Sequence, residues 1–235
     1  MVKVIKFASN AIDKIVSIIL VLFLLIGIYI LYDNIYIFYD ARLEKVIGFK
    51  PDNKAQAIAL KKDLSEECVA WITIDGSSID YPIMQADDNM KYLNKDPYGE
   101  YSLSGSIFLD FRNNSEFQDQ YSLLYGHHMD NEYMFGALDN WFKKDYFDSH
   151  LTGELILTST GKSYDFCIFA IGYAYTTDNV IFNPENHYPL DYITENSTYF
   201  KEPIEKDGKI LILSTCVGAN STKRIILSGI LRERG

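Results

Sequence analysis

Residues 15–32 read IVSIILVLFLLIGIYILY, eighteen consecutive positions without a charged side chain. No other feature restricts this chain so strongly, because a run of that length spans a bilayer as an α-helix. A buried helix of a soluble core keeps a polar stripe, and this run has none. A cleaved signal peptide has a shorter apolar centre followed by a small-residue cleavage site. Here the run is followed by DNIYIFYD. The segment is therefore expected to be an uncleaved signal-anchor that meets the lipid bilayer through residues 15–32. Lys3, Lys6 and Lys14 precede it and favour a cytoplasmic N-terminus, a bias opposed by Arg42, Lys45 and Lys50 behind it. The expected organisation is a cytoplasmic tip and single-pass anchor over residues 1–33, a stalk over 34–53, and one extracytoplasmic domain over 54–235.

That last part is β-rich in pattern. Eight short apolar runs follow one another: VAWITI, IDYPIM, GSIFLD, QYSLLYG, ELILTS, SYDFCIFAIGY, KILILST and RIILSGIL. Gly, Asn, Asp and Pro punctuate between them. Eighteen tyrosines and fourteen phenylalanines fit strands better than a helical bundle. Eight strands in this length predict a barrel or sandwich. Three helical stretches are expected around it. Residues 55–67 (AQAIALKKDLSEE) place Ala57, Leu60 and Leu64 at helical spacing. MFGALDNWF begins an insertion at Met134, and residues 191–203 (DYITENSTYFKEP) form another that Pro203 would end. The net charge of −10 argues against a nucleic-acid partner, which calls for a basic face.

Three cysteines, Cys68, Cys167 and Cys216, are widely spaced and include no CxxC pair, so neither a zinc site nor a disulfide framework is indicated. Cys68 and Cys167 adjoin apolar runs and read as core. Cys216 ends one apolar run, and Arg224 opens the next after a short connection. Antiparallel pairing would set the guanidinium beside the thiol. A thiol acts as a nucleophile only as thiolate, which needs a cation or base nearby. A guanidinium stays charged and can donate two hydrogen bonds to an oxyanion. Among four histidines, His127 and His128 follow the run ending at Leu124, so they sit at a strand end as Cys216 does. Spacing alone does not decide which of the two rings points inward. Thiol, imidazole and guanidinium at strand ends together suggest an acyl-transfer site.

These segments resemble the sortases, cysteine transpeptidases of Gram-positive bacteria, and among them class B. The resemblance is carried by LSTCV with Arg224 eight residues after the cysteine, YGHHM with MFGAL behind it, SGSIFLDFRN, and VAWITIDGSSIDYPIMQ. It covers about residues 50 to 232. It implies a mostly-β, closed eight-stranded barrel with helical insertions. It also implies roles: Cys216 as nucleophile, His127 as the acid that protonates the leaving amine, and Arg224 as the group that holds the carbonyl and its oxyanion. Ser214 matches a substrate-contacting serine of the class, Asn89 and Leu93 of DNMKYL match its groove residues, and Thr177 and Ile181 would line the groove from the connection between the sixth and seventh apolar runs. The implied partners are surface proteins with an NPxTx-like or PPxTG-like sorting motif and a peptidoglycan amine, with no metal or other cofactor.

Two other functions are weighed against this one. A cysteine hydrolase would share the thioester chemistry, but papain-like enzymes place the cysteine before the histidine, the reverse of the order here. A membrane-anchored adhesin-like β-domain would explain the anchor and the tyrosines, but not the three reactive side chains at strand ends. Three N-x-S/T sequons, at Asn113, Asn196 and Asn220, carry no weight in a bacterial protein.

Overall fold

The computed structural model describes residues 2–41, 50–185, 188–218 and 221–234. The chain divides into two compact units, with the boundary between Tyr39 and Asp40.

The first unit is one helix, α1 (Val2–Ala41). Within it, Ile12–Tyr36 is long and apolar enough to cross a membrane, and none of that stretch is buried by the protein. Two of its polar side chains turn back on their own helix. Ser17 Oγ donates to the carbonyl of Asp13 and Asn34 Nδ2 to that of Ile30, each at 2.8 Å. Such self-bonding lets a polar residue sit in a setting that offers no water. The helix runs on into the segment expected to be a stalk. Residues 42–49 of that segment, including Arg42 and Lys45, lie outside the described residues, as does Asn220 of the third sequon.

The second unit opens with α2 (Lys54–Asp63), which Asn53 caps by accepting from the Gln56 amide. Ala57 and Leu60 are its buried face. Nine strands follow: β1 (Cys68–Ile74), β2 (Asp80–Met84), β3 (Ile107–Leu109), β4 (Tyr121–Tyr125), β5 (Thr152–Leu157), β6 (Ser163–Tyr175), β7 (Ser197–Phe200), β8 (Lys209–Cys216) and β9 (Lys223–Glu233). They form one sheet in the order β5-β1-β2-β3-β4-β8-β9-β6-β7, and β5 also pairs with β6. That extra pairing closes eight strands into a barrel, as the sequence implied. It is made by the first part of β6, from Ser163 to Cys167.

The ninth strand is a correction. Residues 191–203 were expected to be one helix. Instead a helix, α5 (Leu190–Asn196), stops and β7 begins at once, pairing with the second part of β6 around Ala170–Gly172. Thr198, Tyr199 and Phe200 are strand formers, and Ser197 Oγ turns back to the Ile193 carbonyl to end the helix. Gly172 permits the junction, since a Cβ there would lie 2.5 Å from the Asn196 carbonyl oxygen.

The helical insertion after Met134 is a 3₁₀ helix (Phe135–Phe142) followed by α3 (Lys144–Ser149). A four-residue helix, α4 (Asn179–Phe182), follows β6.

Two apolar cores explain why β8 shows no alternation in its sequence. Leu211 and Leu213 belong to the larger core with Trp71, Phe166 and Leu227. Ile210 and Ile212 belong to a second core with Tyr121, Phe169, Ile181 and Ile193, beneath α4 and α5. Both faces of β8 are covered, so a continuous apolar run is what the strand requires. Its parallel pairing with β4 is of the kind found in sheets covered on both faces. The neighbouring strand ends of β4, β8 and β9 then share one rim of the barrel.

Candidate active site

Cys216 is the last residue of β8 and stands directly opposite Arg224 on β9 in antiparallel register. Arg224 donates through a terminal guanidinium nitrogen to the Cys216 sulfur. The cation therefore rests on the thiol, the arrangement that a thiolate nucleophile needs. Cys216 is partly exposed, whereas Cys68 is buried. Burial pushes the Cys68 thiol up to about 12, more than a nearby Lys61 can offset. Cys167, expected to be core, is only half-buried in β6, and burial raises its thiol as well.

The histidine reaches the same rim from β4. Tyr125 pairs with Ser214 across the parallel β4–β8 ladder. Gly126 then locks onto β8 from both sides: its amide donates to the Ser214 carbonyl at 3.2 Å, and its carbonyl accepts from Thr215 Oγ1 at 2.8 Å. A Cβ at Gly126 would meet the Ile107 side chain at 2.4 Å and the Phe135 ring at 2.7 Å, so only glycine fits this approach. His127 follows, and its ring Nε2 lies 2.6 Å from the carbonyl of Leu93. A carbonyl can only accept, so Nε2 carries a proton wherever this bond is made. His128 turns away, with its Nε2 2.9 Å from Asp139 Oδ2. The question of which ring faces inward, open in the sequence, is answered in favour of His127.

The loop that returns from His127 is held under strain. Met134 is buried at φ 51° and ψ −130°, a region costly for a side chain with Cβ. Its amide donates to the Tyr81 hydroxyl at 3.0 Å, and the next amide, of Phe135, donates to the His127 carbonyl at 3.0 Å. Burial raises the Tyr81 hydroxyl to about 12, so it stays protonated.

Cys216, His127 and Arg224 share a cleft of about 320 Å³. Asn89, Leu93 and Ser214 line it too, so those expected groove residues are brought together with the reactive three. Thr177 and Ile181 are not. The cleft is lined from that segment by their neighbours Thr176 and Phe182. Ile181 is turned into the second core, where its carbonyl accepts from the Tyr121 hydroxyl at 2.6 Å, and Thr177 faces solvent. The short helix α4 fixes this phase by packing its apolar face inward. Ser214 is 1% exposed and its hydroxyl has no hydrogen-bond partner among the described residues. A buried hydroxyl left unpaired is costly, and a ligand in the cleft would satisfy it.

Residues not assigned to the groove from the sequence complete the walls. Phe108 and Tyr125 line the cleft with their ring centroids 5.3 Å apart. Thr215 is the residue that clamps Gly126. All three stand in quoted segments, SGSIFLDFRN, YGHHM and LSTCV, but nothing in a lone sequence marks them as cleft residues. A larger cavity of about 650 Å³, lined by Arg112, Asp119, Glu185 and Asp207, brings together no nucleophile and base. The smaller one is where a thiol, an imidazole and a guanidinium meet. Among the described residues no three His, Cys, Asp or Glu side chains are grouped to hold a metal ion.

Residues 72–231 match the sortase domain family. The chain is 35% identical over 187 residues to sortase B of Listeria monocytogenes, covering 75% of this chain and 72% of that one. It is 33% identical over 172 residues to sortase B of Staphylococcus aureus, covering 70% of each. Among solved structures, a Streptococcus pyogenes class B sortase involved in pilus biogenesis superimposes with a TM-score of 0.67 at 36% identity, over 74% of this chain and 96% of that one. A Staphylococcus aureus sortase B–substrate complex gives a TM-score of 0.69 at 26% identity, over 83% and 93%.

Proposed function

The chain belongs to the sortase family as a class B transpeptidase, and from that premise we propose that it is a membrane-anchored enzyme that cleaves a C-terminal sorting motif after threonine and joins the freed carboxyl end to a peptidoglycan amine. The observation that carries this reading is the convergence of Cys216, His127 and Arg224 in one cleft, with Ser214 offering an unpaired hydroxyl beside them.

The Cys216 thiolate attacks the threonine carbonyl of the bound motif. The C–S bond forms as the carbonyl electrons move to oxygen. Arg224, already at the sulfur, donates to that oxyanion. His127 gives a proton to the departing amine as the C–N bond breaks, leaving a thioester. The acceptor amine then attacks the thioester, His127 takes a proton from it, and Cys216 leaves as thiolate. Substrate motifs of the NPxTx or PPxTG type fit the class. The anchor over residues 15–32 would hold the catalytic domain outside the cell membrane, beside substrates that are themselves membrane-held during export. Confining both to one surface raises their effective concentration.

The full chain in detergent, given xPxTx peptides together with triglycine or diaminopimelate, is expected to yield a ligated product in which the peptide ends at threonine and carries the amine. Products containing only water in place of the amine would replace the transpeptidase reading with a hydrolase.

A further inference from the structure

Behind the cleft lies a buried carboxylate that takes no part in the acyl transfer. Asp110, just after β3, has no exposed surface. It accepts from Asn89 Nδ2 at 2.9 Å, from the Tyr125 hydroxyl at 3.0 Å, and from Nε and an Nη of Arg112, both at 2.8 Å. Arg112 reaches further, donating to the Phe182 carbonyl at 2.8 Å and to Asn183 Oδ1 at 3.2 Å. Asn89, Tyr125 and Phe182 each line the cleft and come from three separate stretches of chain: the β2–β3 connection, the end of β4, and α4.

The physics of the pair favours a geometric role over a stabilising one. A buried ion pair adds little net stability compared with apolar residues of the same volume, because desolvation offsets the attraction. A guanidinium fork is planar and rigid, so its partners are held at fixed separations. Asn89 is engaged at both polar ends, since its Oδ1 also accepts from the Phe111 amide at 3.0 Å. Its side chain is therefore held as part of the wall. Burial alone would raise the Asp110 carboxyl, but the donors from Arg112 and Asn89 outweigh burial and hold it below the usual range.

We propose that Asp110 and Arg112 form a positioning unit for peptide recognition, fixing the spacing of the Asn89, Tyr125 and Phe182 walls and so selecting which acyl-donor peptide enters the cleft. The substrate class, a peptide acyl donor, rests on the transpeptidase reading above. Neither residue touches the reacting atoms. A wall displaced by an ångström misplaces the scissile carbonyl relative to Cys216 while leaving the thiol itself in place.

The test uses the full chain in detergent and two readouts. One is the rate of Cys216 alkylation by iodoacetamide, which needs no peptide. The other is the peptide concentration that half-saturates acyl-enzyme formation. Arg112→Gln and Arg112→Lys are expected to raise that concentration by about 10- to 100-fold while alkylation stays within about twofold of wild type. Asn183→Ala, which keeps the buried ion pair and loses only one tie to the insertion, is expected to shift it in the same direction by less. Asn183→Ala decides the matter if the Arg112 variants do not fold. Unchanged half-saturation in the folded variants overturns the proposal, as does a parallel loss of alkylation and acylation, which would mark general damage. If the wild type is acylated by no peptide, the transpeptidase reading has failed and takes this proposal with it; if only the variants' shift is missing, this proposal alone has failed.

Discussion

At the scale of residues, the site is three strand ends brought to one rim, and each reactive group has a specific neighbour. Arg224 sits on the Cys216 sulfur, and Leu93 offers its carbonyl to His127. In the proposed mechanism the guanidinium is an oxyanion donor, so Arg224→Ala should slow acylation by about 100- to 1,000-fold. Arg224→Lys keeps the charge without the fork and should fall between that variant and wild type. Quenched-flow mass measurement of the acylation rate checks both, and equal rates in all three proteins would remove Arg224 from the chemistry. The Leu93 carbonyl sets a second expectation. In the neutral state the His127 ring should be the Nε2–H tautomer, leaving Nδ1 as the atom that gains and loses the proton. Nitrogen NMR of the labelled ring reads this directly, and an Nδ1–H signal would contradict the placement. Much of this site was legible in the sequence. Cys216, Arg224 and the His127–His128 pair stand out because such residue types sit at the ends of apolar runs, but which of the two rings faces inward was open until the fold placed them. Asp110 and Arg112 do not, because charges flanking a strand read as solvated until the fold shows one of them buried. Ile181 was misplaced by one position because the phase of a four-residue helix has no periodicity to reveal it, and Thr177 because it stands in the turn before that helix, where no repeating pattern says which side chain faces the cleft.

At the scale of elements, the barrel strands carry clear signals and the insertions do not. Eight apolar runs gave eight barrel strands, including β8, whose lack of alternation reflects burial on both faces. The ninth strand was hidden because it follows α5 with no intervening loop, and the helix gives way to the strand at Ser197, whose hydroxyl turns back to Ile193. The elements around the cleft are tied together through Asp110, and that tie is pH-dependent in a definite direction. Its carboxyl is held below the ordinary value of 3.8 in the folded state. The unfolded chain therefore binds the proton more readily, so the tie contributes fully above that value and is lost as pH falls through the lowered one. Asp110→Asn should accordingly be less stable than wild type near neutrality, and the gap should narrow in acid. Denaturant unfolding across that range checks it. A gap that does not change with pH would mean that the ion pair contributes nothing that titrates.

At the scale of the whole molecule, an apolar helix precedes a catalytic barrel in one chain. The helix is the part the sequence makes plainest, since residues 15–32 contain no charge and no polar stripe. Its expected consequence is a location in the membrane. Full-length protein should remain with membranes after alkaline carbonate extraction, and a membrane-impermeant maleimide applied to intact cells should reach Cys216. Release by carbonate, or labelling only after lysis, would contradict a single-pass anchor with the barrel outside. The chemistry of the barrel is reached by the intact mass of wild type and Cys216→Ala after exposure to sorting-motif peptides. A mass gain is expected on wild type alone, equal to the peptide's residues up to and including threonine. No adduct on wild type with any motif peptide, or the same adduct on Cys216→Ala, would contradict it.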